Sequence, residues 1–164
     1  ADYKAYAQEE EMKKLDSAAY LTTVMMLWQD SPLDYGAYYT CDCGNWGCYR
    51  VGSNLRTPSW YGLKAFGELV RYPVRLKTES SLREVTVLSG MNEAGEKMLL
   101  VSAFKTGVLD VEISADIPLT GENCQIRLLD HDHLLSPAEE VSFDGNTVKF
   151  QTNSYSSCAL IKLT

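Results

Sequence analysis

The sequence predicts an α+β fold in which a helix, a strand and a second helix pack on an antiparallel β-sandwich. Apolar residues recur at helical spacing near the start of the chain, whereas residues after about position 80 alternate with the period of two that is typical of strands. Turn-forming runs rich in Gly, Asn and Asp separate these short segments. Many short strands at regular spacing indicate a sandwich or a barrel.

The first predicted element is a helix from Asp2 to Gln29. Its early part carries the charged run Glu9–Lys14 and is expected to face solvent, as charge runs usually do. Its late part, Ala18–Trp28, is apolar nearly all round and is therefore expected to be buried on most sides. Asp30-Ser31-Pro32 ends the helix.

A strand, a long loop and a second helix are predicted next. Leu33–Thr40 is short and rich in Tyr, as strands often are. Cys41–Arg56 is full of Gly, Asn, Asp and Cys, and loops of that length are usually functional or form an interaction surface. Thr57 as cap and Pro58 at the first position begin a helix that runs to about Tyr72.

The second half of the chain is predicted to hold seven strands, which gives a division into units 1–75 and 76–164. The predicted strands are Glu84–Leu88, Met98–Phe104, Val108–Ile113, Cys124–Leu129, Val141–Phe143, Val148–Gln151 and Cys158–Leu163.

These elements, in this order, carry a family resemblance. The motifs concerned are Tyr38-Tyr39 on the predicted strand, Trp46-Gly47 in the loop, and Pro58, Trp60, Lys64 and Phe66 at the start of the second helix. Together they resemble the end of a (β/α)8 glycoside hydrolase, in particular the β-xylosidase-like enzymes of family 39. The resemblance implies that residues 1–75 are the end of a barrel, with the strand as its eighth, and that residues 76–164 are an accessory sandwich. The chain departs from the family at Thr40, where an Asp is usual.

The resemblance also implies a function. In such enzymes the two catalytic carboxylates lie on the fourth and seventh strands, so both would lie upstream and this chain would contain no catalytic residue. It would be the non-catalytic C-terminal portion of a hydrolase acting on plant-type or host oligosaccharides. Its partners would be the upstream barrel portion of the same parent protein and, at one edge of the site, carbohydrate.

The loop after the predicted strand supplies the candidate substrate-binding residues. In a (β/α)8 enzyme such a loop lies at the catalytic face. The candidates are Tyr39, Trp46, Tyr49 and Arg50, because aromatic rings stack on the C–H faces of sugars and Arg donates to hydroxyls. The alternative is that the aromatic side chains fill the core between the barrel end and the loop.

Cysteine and histidine patterns do not predict a metal site. Cys41, Cys43 and Cys48 have an unusual spacing for zinc and no neighbouring His, so free thiols or one disulfide are favoured. His131-Asp132-His133 is interpreted as a turn at a strand end. No Gly-rich phosphate loop, no G-x-S-x-G elbow and no H-E-x-x-H motif occurs, and no cofactor is predicted. The odd number of cysteines, five, favours a cytoplasmic compartment.

The acidic composition excludes other partners. The formal net charge of -7 and the pI of about 4.8 argue against nucleic acid and anionic membrane surfaces. No apolar run is long enough to span a bilayer.

Two further hypotheses stay open: a stand-alone carbohydrate-binding sandwich, and a structural or oligomerisation module. An exposed row of aromatic residues would favour the former, but the sandwich aromatics stand mostly at alternating positions that suit a core. An isolated chain could hide the apolar helix and the strand against its own sandwich or against a second copy, and we expect the second route, a homodimer, to contribute.

Overall fold

The computed structural model describes residues 3–39, 41, 47–50 and 52–164, and of residues 3–13 it describes the backbone alone. Its helices are α1 (Tyr3–Trp28) and α2 (Pro58–Leu69). The strands are β1 (Val74–Leu76), β2 (Val85–Met91), β3 (Lys97–Ala103), β4 (Asp110–Ser114), β5 (Cys124–Leu129), β6 (Leu134–Pro137), β7 (Val141–Asp144), β8 (Thr147–Gln151) and β9 (Ser157–Leu163). Within these ranges, no helix has the length and apolar content needed to cross a bilayer.

The strands form two antiparallel sheets. One has six strands in the order β1-β2-β3-β9-β5-β6, and the other has three in the order β4-β8-β7. The long central ladder pairs β3 with β9 from Lys97 opposite Leu163 to Ala103 opposite Ser157. The predicted α+β fold with an antiparallel sandwich is thus confirmed.

Between the two sheets lies the largest apolar core. The six-stranded sheet contributes Ile126, Ile161 and their neighbours, and the three-stranded sheet contributes Val148 and Phe150. Val148 and Ile161 are completely inaccessible to solvent, so this interface is closed at its centre. The alternation that predicted these strands therefore reflects a real inward face.

The opposite face of the six-stranded sheet is covered by both helices. Met26 of α1 and Leu69 of α2 pack with Leu88, Leu100 and Leu160 from the sheet. A second cluster joins Leu15, Ala18 and Ala19 of α1 to Leu129 and Cys158. The molecule accordingly has three layers: helices, large sheet and small sheet. The predicted packing of the helices on the sandwich is confirmed, so one face of the apolar helix is covered by the chain itself, and pairing with a second copy stays a prediction.

The helices α1 and α2 touch closely and run in the same direction. A Cβ atom at Gly62 would lie 2.8 Å from Thr22 Oγ1 and 3.2 Å from the Ala18 carbonyl oxygen, so a larger residue would push the helices apart. Residues just beyond each helix, Asp30 and Tyr72, line the same cleft. Both helices therefore end on the same side of the molecule.

An ion pair joins α2 to the sheet. Arg127 Nη1 donates to Glu68 Oε1 at 3.3 Å, and Arg127 Nη2 contacts Glu68 Oε2. Burial raises the pKa of the Glu68 carboxyl, but the hydrogen bond and charge of Arg127 outweigh it and bring the pKa below its usual range. The contribution of this pair to stability is therefore complete above the ordinary carboxyl pKa and is lost as the pH falls through the lowered value.

Several predicted elements differ from the structure. The strand predicted at Leu33–Thr40 is wrong: residues 33–39 lie in neither sheet, and Thr40 is outside the described residues. A strand needs a neighbour to pair with, and no described segment pairs with this one. The sequence analysis also missed β1 and β6, which are short edge strands. The division at residue 75/76 stays a prediction; it falls within β1, which pairs with β2.

Phe150 tests the closed inter-sheet core. Its side chain is 5% exposed and lies in the cluster between the sheets. We expect Phe150→Ala to lower the free energy of unfolding by about 3–5 kcal/mol in urea denaturation, because it removes buried apolar surface and leaves a cavity. The adjacent Lys149→Ala, which loses only an exposed ion pair with Glu112, should cost less than about 1 kcal/mol. Equal losses for the two variants would contradict a packed Phe150.

Candidate functional site

The candidate site is the loop between α1 and α2, and backbone hydrogen bonds fold its described part into a hairpin. The Cys41 carbonyl oxygen accepts from the N–H groups of Cys48 at 2.7 Å and Tyr49 at 3.2 Å. Tyr49 pairs with Arg56 in an antiparallel bridge. The Arg50 N–H then donates to the Leu55 carbonyl oxygen at 2.9 Å. Three separate stretches of the loop are thus held side by side.

A tight turn closes the tip of this hairpin. Gly52 has a φ of 71°, a left-handed conformation that residues with a side chain adopt at a cost. The Ser53 N–H and hydroxyl both donate to the Arg50 carbonyl oxygen, at 3.0 and 3.1 Å. These contacts fix the direction in which the chain returns toward α2.

Thr57 anchors the loop to the start of α2. It stands at the predicted cap position, but its hydroxyl makes no capping hydrogen bond to the helix. The hydroxyl donates instead to the Gly47 carbonyl oxygen, while the Thr57 N–H donates to the Cys48 carbonyl oxygen at 3.0 Å. Thr57 is 2% exposed, so both bonds are shielded from water. Its role is therefore to hold the loop rather than to cap the helix.

A cation–π contact adds a second link between loop and helix. The Arg56 guanidinium lies 3.9 Å from the centre of the Trp60 ring, which meets Tyr61 edge to face at 5.0 Å. Arg56 was not among the predicted site residues. The only sequence signal for it is the spacing of four residues between an Arg and a Trp across a helix start.

The structure describes three of the four predicted substrate-binding residues. Tyr39 is 91% exposed, so it fills no core, and Tyr49 is 36% exposed. Arg50 is also exposed. Trp46 lies outside the described residues. The Tyr49 N–H donates to the carbonyl oxygen of Cys41, which follows Tyr39 by two residues. The two tyrosines therefore stand on neighbouring segments.

The histidine-containing segment is a turn between β5 and β6, as predicted. His133 Nδ1 lies 2.7 Å from Asp130 Oδ1, and His131 Nδ1 lies 3.1 Å from Asp132 Oδ1. Hydrogen bonds from His131 and Asn153 lower the pKa of the Asp132 carboxyl. Across the described part of the chain, no group of three or more His, Cys, Asp or Glu side chains is arranged to hold a metal ion.

The buried thiols of the sheet are unsuited to nucleophilic chemistry. Burial raises the pKa of the Cys158 thiol to about 11, and it also raises the pKa of Cys124. Only the thiolate is a strong nucleophile, so neither sulfur is activated near neutral pH. Cys158 Sγ instead lies 3.6 Å from Ser102 Oγ under α1.

Comparison with solved structures finds a similar architecture within several glycoside hydrolases. A family 30 subfamily 8 xylanase from Clostridium acetobutylicum is similar at a TM-score of 0.69 with 11% identity over 92% of this chain and 39% of that one. A glucosidase from Croceicoccus marinus gives 0.63, with 15% identity over 92% and 42%. A family 44 xyloglucanase from Paenibacillus polymyxa gives 0.56, with 13% identity over 87% and 28%.

The chain has a glycoside-hydrolase-like fold. It spans about two fifths of the length of the family 30 xylanase. No family model and no curated protein matches the sequence. At these identities the likeness concerns the fold alone, and the chemistry must be argued from the residues.

The Thr57 anchor can be tested by substitution. Thr57→Val keeps the shape but removes the hydroxyl, leaving the Gly47 carbonyl without that donor. We expect it to lower the free energy of unfolding by about 1–3 kcal/mol, the cost of an unsatisfied buried polar group. Thr57→Ser retains the hydroxyl and should lose clearly less. If thermal unfolding shows Thr57→Val to be as stable as the parent chain and Thr57→Ser to be the damaging change, the methyl group and not the hydroxyl holds the loop.

Proposed function

We propose that this chain is the non-catalytic C-terminal portion of a glycoside hydrolase, which supports the barrel and lines one edge of its sugar site. The observation that carries the proposal is the fold match to the family 30 xylanase, which extends over 92% of this chain but only 39% of that enzyme. The same relation holds for the Croceicoccus glucosidase. The partner in this proposal is the polypeptide region that forms the rest of a barrel.

An exposed apolar surface supports such a partner. It comprises Leu27, Trp28, Leu33 and Tyr35, with exposed fractions of 57, 36, 47 and 81%, and we term it the α1-end patch. These residues lie at and just beyond the end of α1, between positions 27 and 35, and the burial of exposed apolar surface is favourable by about 25 cal/mol per Å².

The segment after α1 is packed against the helix end in a way that supports the same partner. A Cβ at Gly36 would lie 2.3 Å from the Trp28 ring, so this ring rests directly on the glycine backbone. The contact holds Gly36 beside the end of α1, although residues 33–39 belong to neither sheet. In the proposed enzyme, the partner region would cover this exposed segment together with the α1-end patch.

The proposed sugar edge is the hairpin loop with its neighbouring segment. Tyr39, Tyr49 and Arg50 are exposed there, and Trp46 belongs to the same loop. Aromatic rings and a guanidinium are suited to stack on a sugar and to donate to its hydroxyls. We propose plant-type or host oligosaccharides as substrates of the complete enzyme. The finer likeness to family 39 β-xylosidase-like enzymes rests on the sequence motifs around Tyr38 and Pro58.

The chain by itself is expected to hydrolyse no aryl glycoside. Glycoside hydrolysis uses two carboxylates placed across the scissile bond, and the proposal assigns both to the partner region. The measurement is release of p-nitrophenol from aryl β-xyloside and β-glucoside. Turnover that survives further purification, and that is abolished by replacing one acidic residue of this chain, would contradict the non-catalytic role.

Without its barrel partner, the chain is expected to pair through the α1-end patch. Leu27 is the best probe, because it is more than half exposed and Leu27→Glu would place a charge in the contact. We expect sedimentation at micromolar concentration to give a dimer for the parent chain and a folded monomer for this variant. Leu134→Glu is the matched control, since Leu134 is 52% exposed on the edge strand β6 and should leave the dimer intact. A monomeric parent chain would count against this pairing.

A further inference from the structure

A cleft that shares no residue with the hairpin loop lies beside α1. It is lined by Leu15 and Asp16 of α1, by His131 of the β5–β6 turn, and by residues 153–156 between β8 and β9. Its volume is about 350 Å³, within the usual range for small-molecule sites. We call it the side cleft. None of its residues has a part in the proposed sugar edge.

A buried carboxylate fixes two walls of the side cleft. Asp130, 2% exposed, accepts through Oδ1 from the N–H groups of Asp132 and His133 at 3.1 and 3.0 Å. Its Oδ2 accepts from the Asn153 N–H at 3.0 Å. The turn before β6 and the loop before β9 are thereby tied to one side chain. The two walls are preorganised, and a ligand would not have to order them.

The polar groups around the cleft are also oriented by contacts with one another. Ser156 Oγ donates to Asp16 Oδ1, and the Asn153 side-chain amide donates to Asp132 Oδ2. The same Ser156 oxygen accepts from the Lys105 N–H at 3.0 Å, which holds the floor of the cleft to the end of β3. The Asp16 carboxylate, the Asn153 amide and the His131 imidazole, which line the cleft, are therefore each held by a neighbouring side chain.

One aromatic ring completes the cleft. Tyr155 is 49% exposed, and its backbone oxygen accepts from the N–H groups of Thr106 and Gly107 at 3.0 and 3.1 Å. The backbone of this residue is thus fixed while half of its side chain faces solvent. Such a ring offers an apolar face next to hydrogen-bonding groups.

We propose that the side cleft binds a neutral saccharide, separately from the hairpin loop. A sugar presents an apolar C–H face and neighbouring hydroxyls, which match the Tyr155 ring and the Asp16 and Asn153 side chains. The carboxylates of Asp16 and Asp132 disfavour an anionic ligand by charge repulsion. The choice of saccharide as ligand class rests on the proposed function, whereas the location rests on the cleft itself.

The test is a titration of the full chain with xylotriose and, separately, cellotriose, followed by amide chemical shifts. At up to about 50 mM sugar, enough to load a millimolar site, we expect shifts at His131 and Asn153–Ser156. Tyr155→Ala should weaken binding by about three- to tenfold, the worth of one aromatic contact. Tyr35→Ala, which removes an 81% exposed tyrosine outside the cleft, should leave the affinity unchanged.

The outcomes separate the two proposals. Chemical-shift changes at the cleft residues, with an affinity that only Tyr155→Ala weakens, support the side cleft, whatever happens at Tyr49 and Arg50. Shifts confined to the hairpin loop overturn the side cleft and leave the proposed sugar edge standing. No shift in either region with both sugars overturns the side cleft, while the role of the chain as a barrel support is judged by aryl glycoside turnover. Equal weakening by Tyr35→Ala also overturns the cleft assignment.

Discussion

The six-stranded sheet has two apolar faces, and the rest of the structure depends on covering both. On its central strand β9, Leu160 and Ile161 are adjacent, are 1% and 0% exposed, and belong to different clusters. Successive residues of a strand point to opposite faces. One face is closed by the three-stranded sheet and the other by α1 and α2. The helices are thus one layer of a common structure, because without them the outer face of the large sheet would meet water.

This constraint explains which parts of the fold could be predicted. Strands with one buried face show alternation, and their approximate positions follow from the sequence. The continuous apolar run of β9, Cys158 to Ile161, is the signature of a strand buried on both sides. The edge strands β1 and β6 lack a comparable pattern, since their pairing depends on the neighbours β2 and β5. For residues 33–39 the composition favoured a strand, but a strand exists only where a neighbour pairs with it.

For the candidate sites, too, only some residues could be predicted from the sequence. Tyr39, Tyr49 and Arg50 could be singled out because aromatic and guanidinium groups in a long loop are chemically conspicuous. The contacts that hold that loop could not be predicted. A threonine before a proline is typical of a helix cap, but the Thr57 hydroxyl donates to the Gly47 carbonyl oxygen instead. No local sequence pattern predicts the side cleft, because Asp16 and Ser156, which meet there, are 140 residues apart in the chain.

The helix α1 connects these regions, and directional bonds set its position. Hydrophobic contacts would allow a helix to slide along a sheet, because they depend on area and not on direction. Two hydrogen bonds prevent this: Ser102 Oγ donates to the Ala19 carbonyl oxygen at 2.9 Å, and Thr23 Oγ1 donates to Ser102 Oγ at 3.0 Å. The Ser102 hydroxyl lies in the middle of the buried sheet, where a broken hydrogen bond is costly. The Ser156–Asp16 hydrogen bond adds a third directional link from α1. Together these bonds set the axial position of α1, which brings Asp16 to the side cleft and packs against Gly62 near the start of α2.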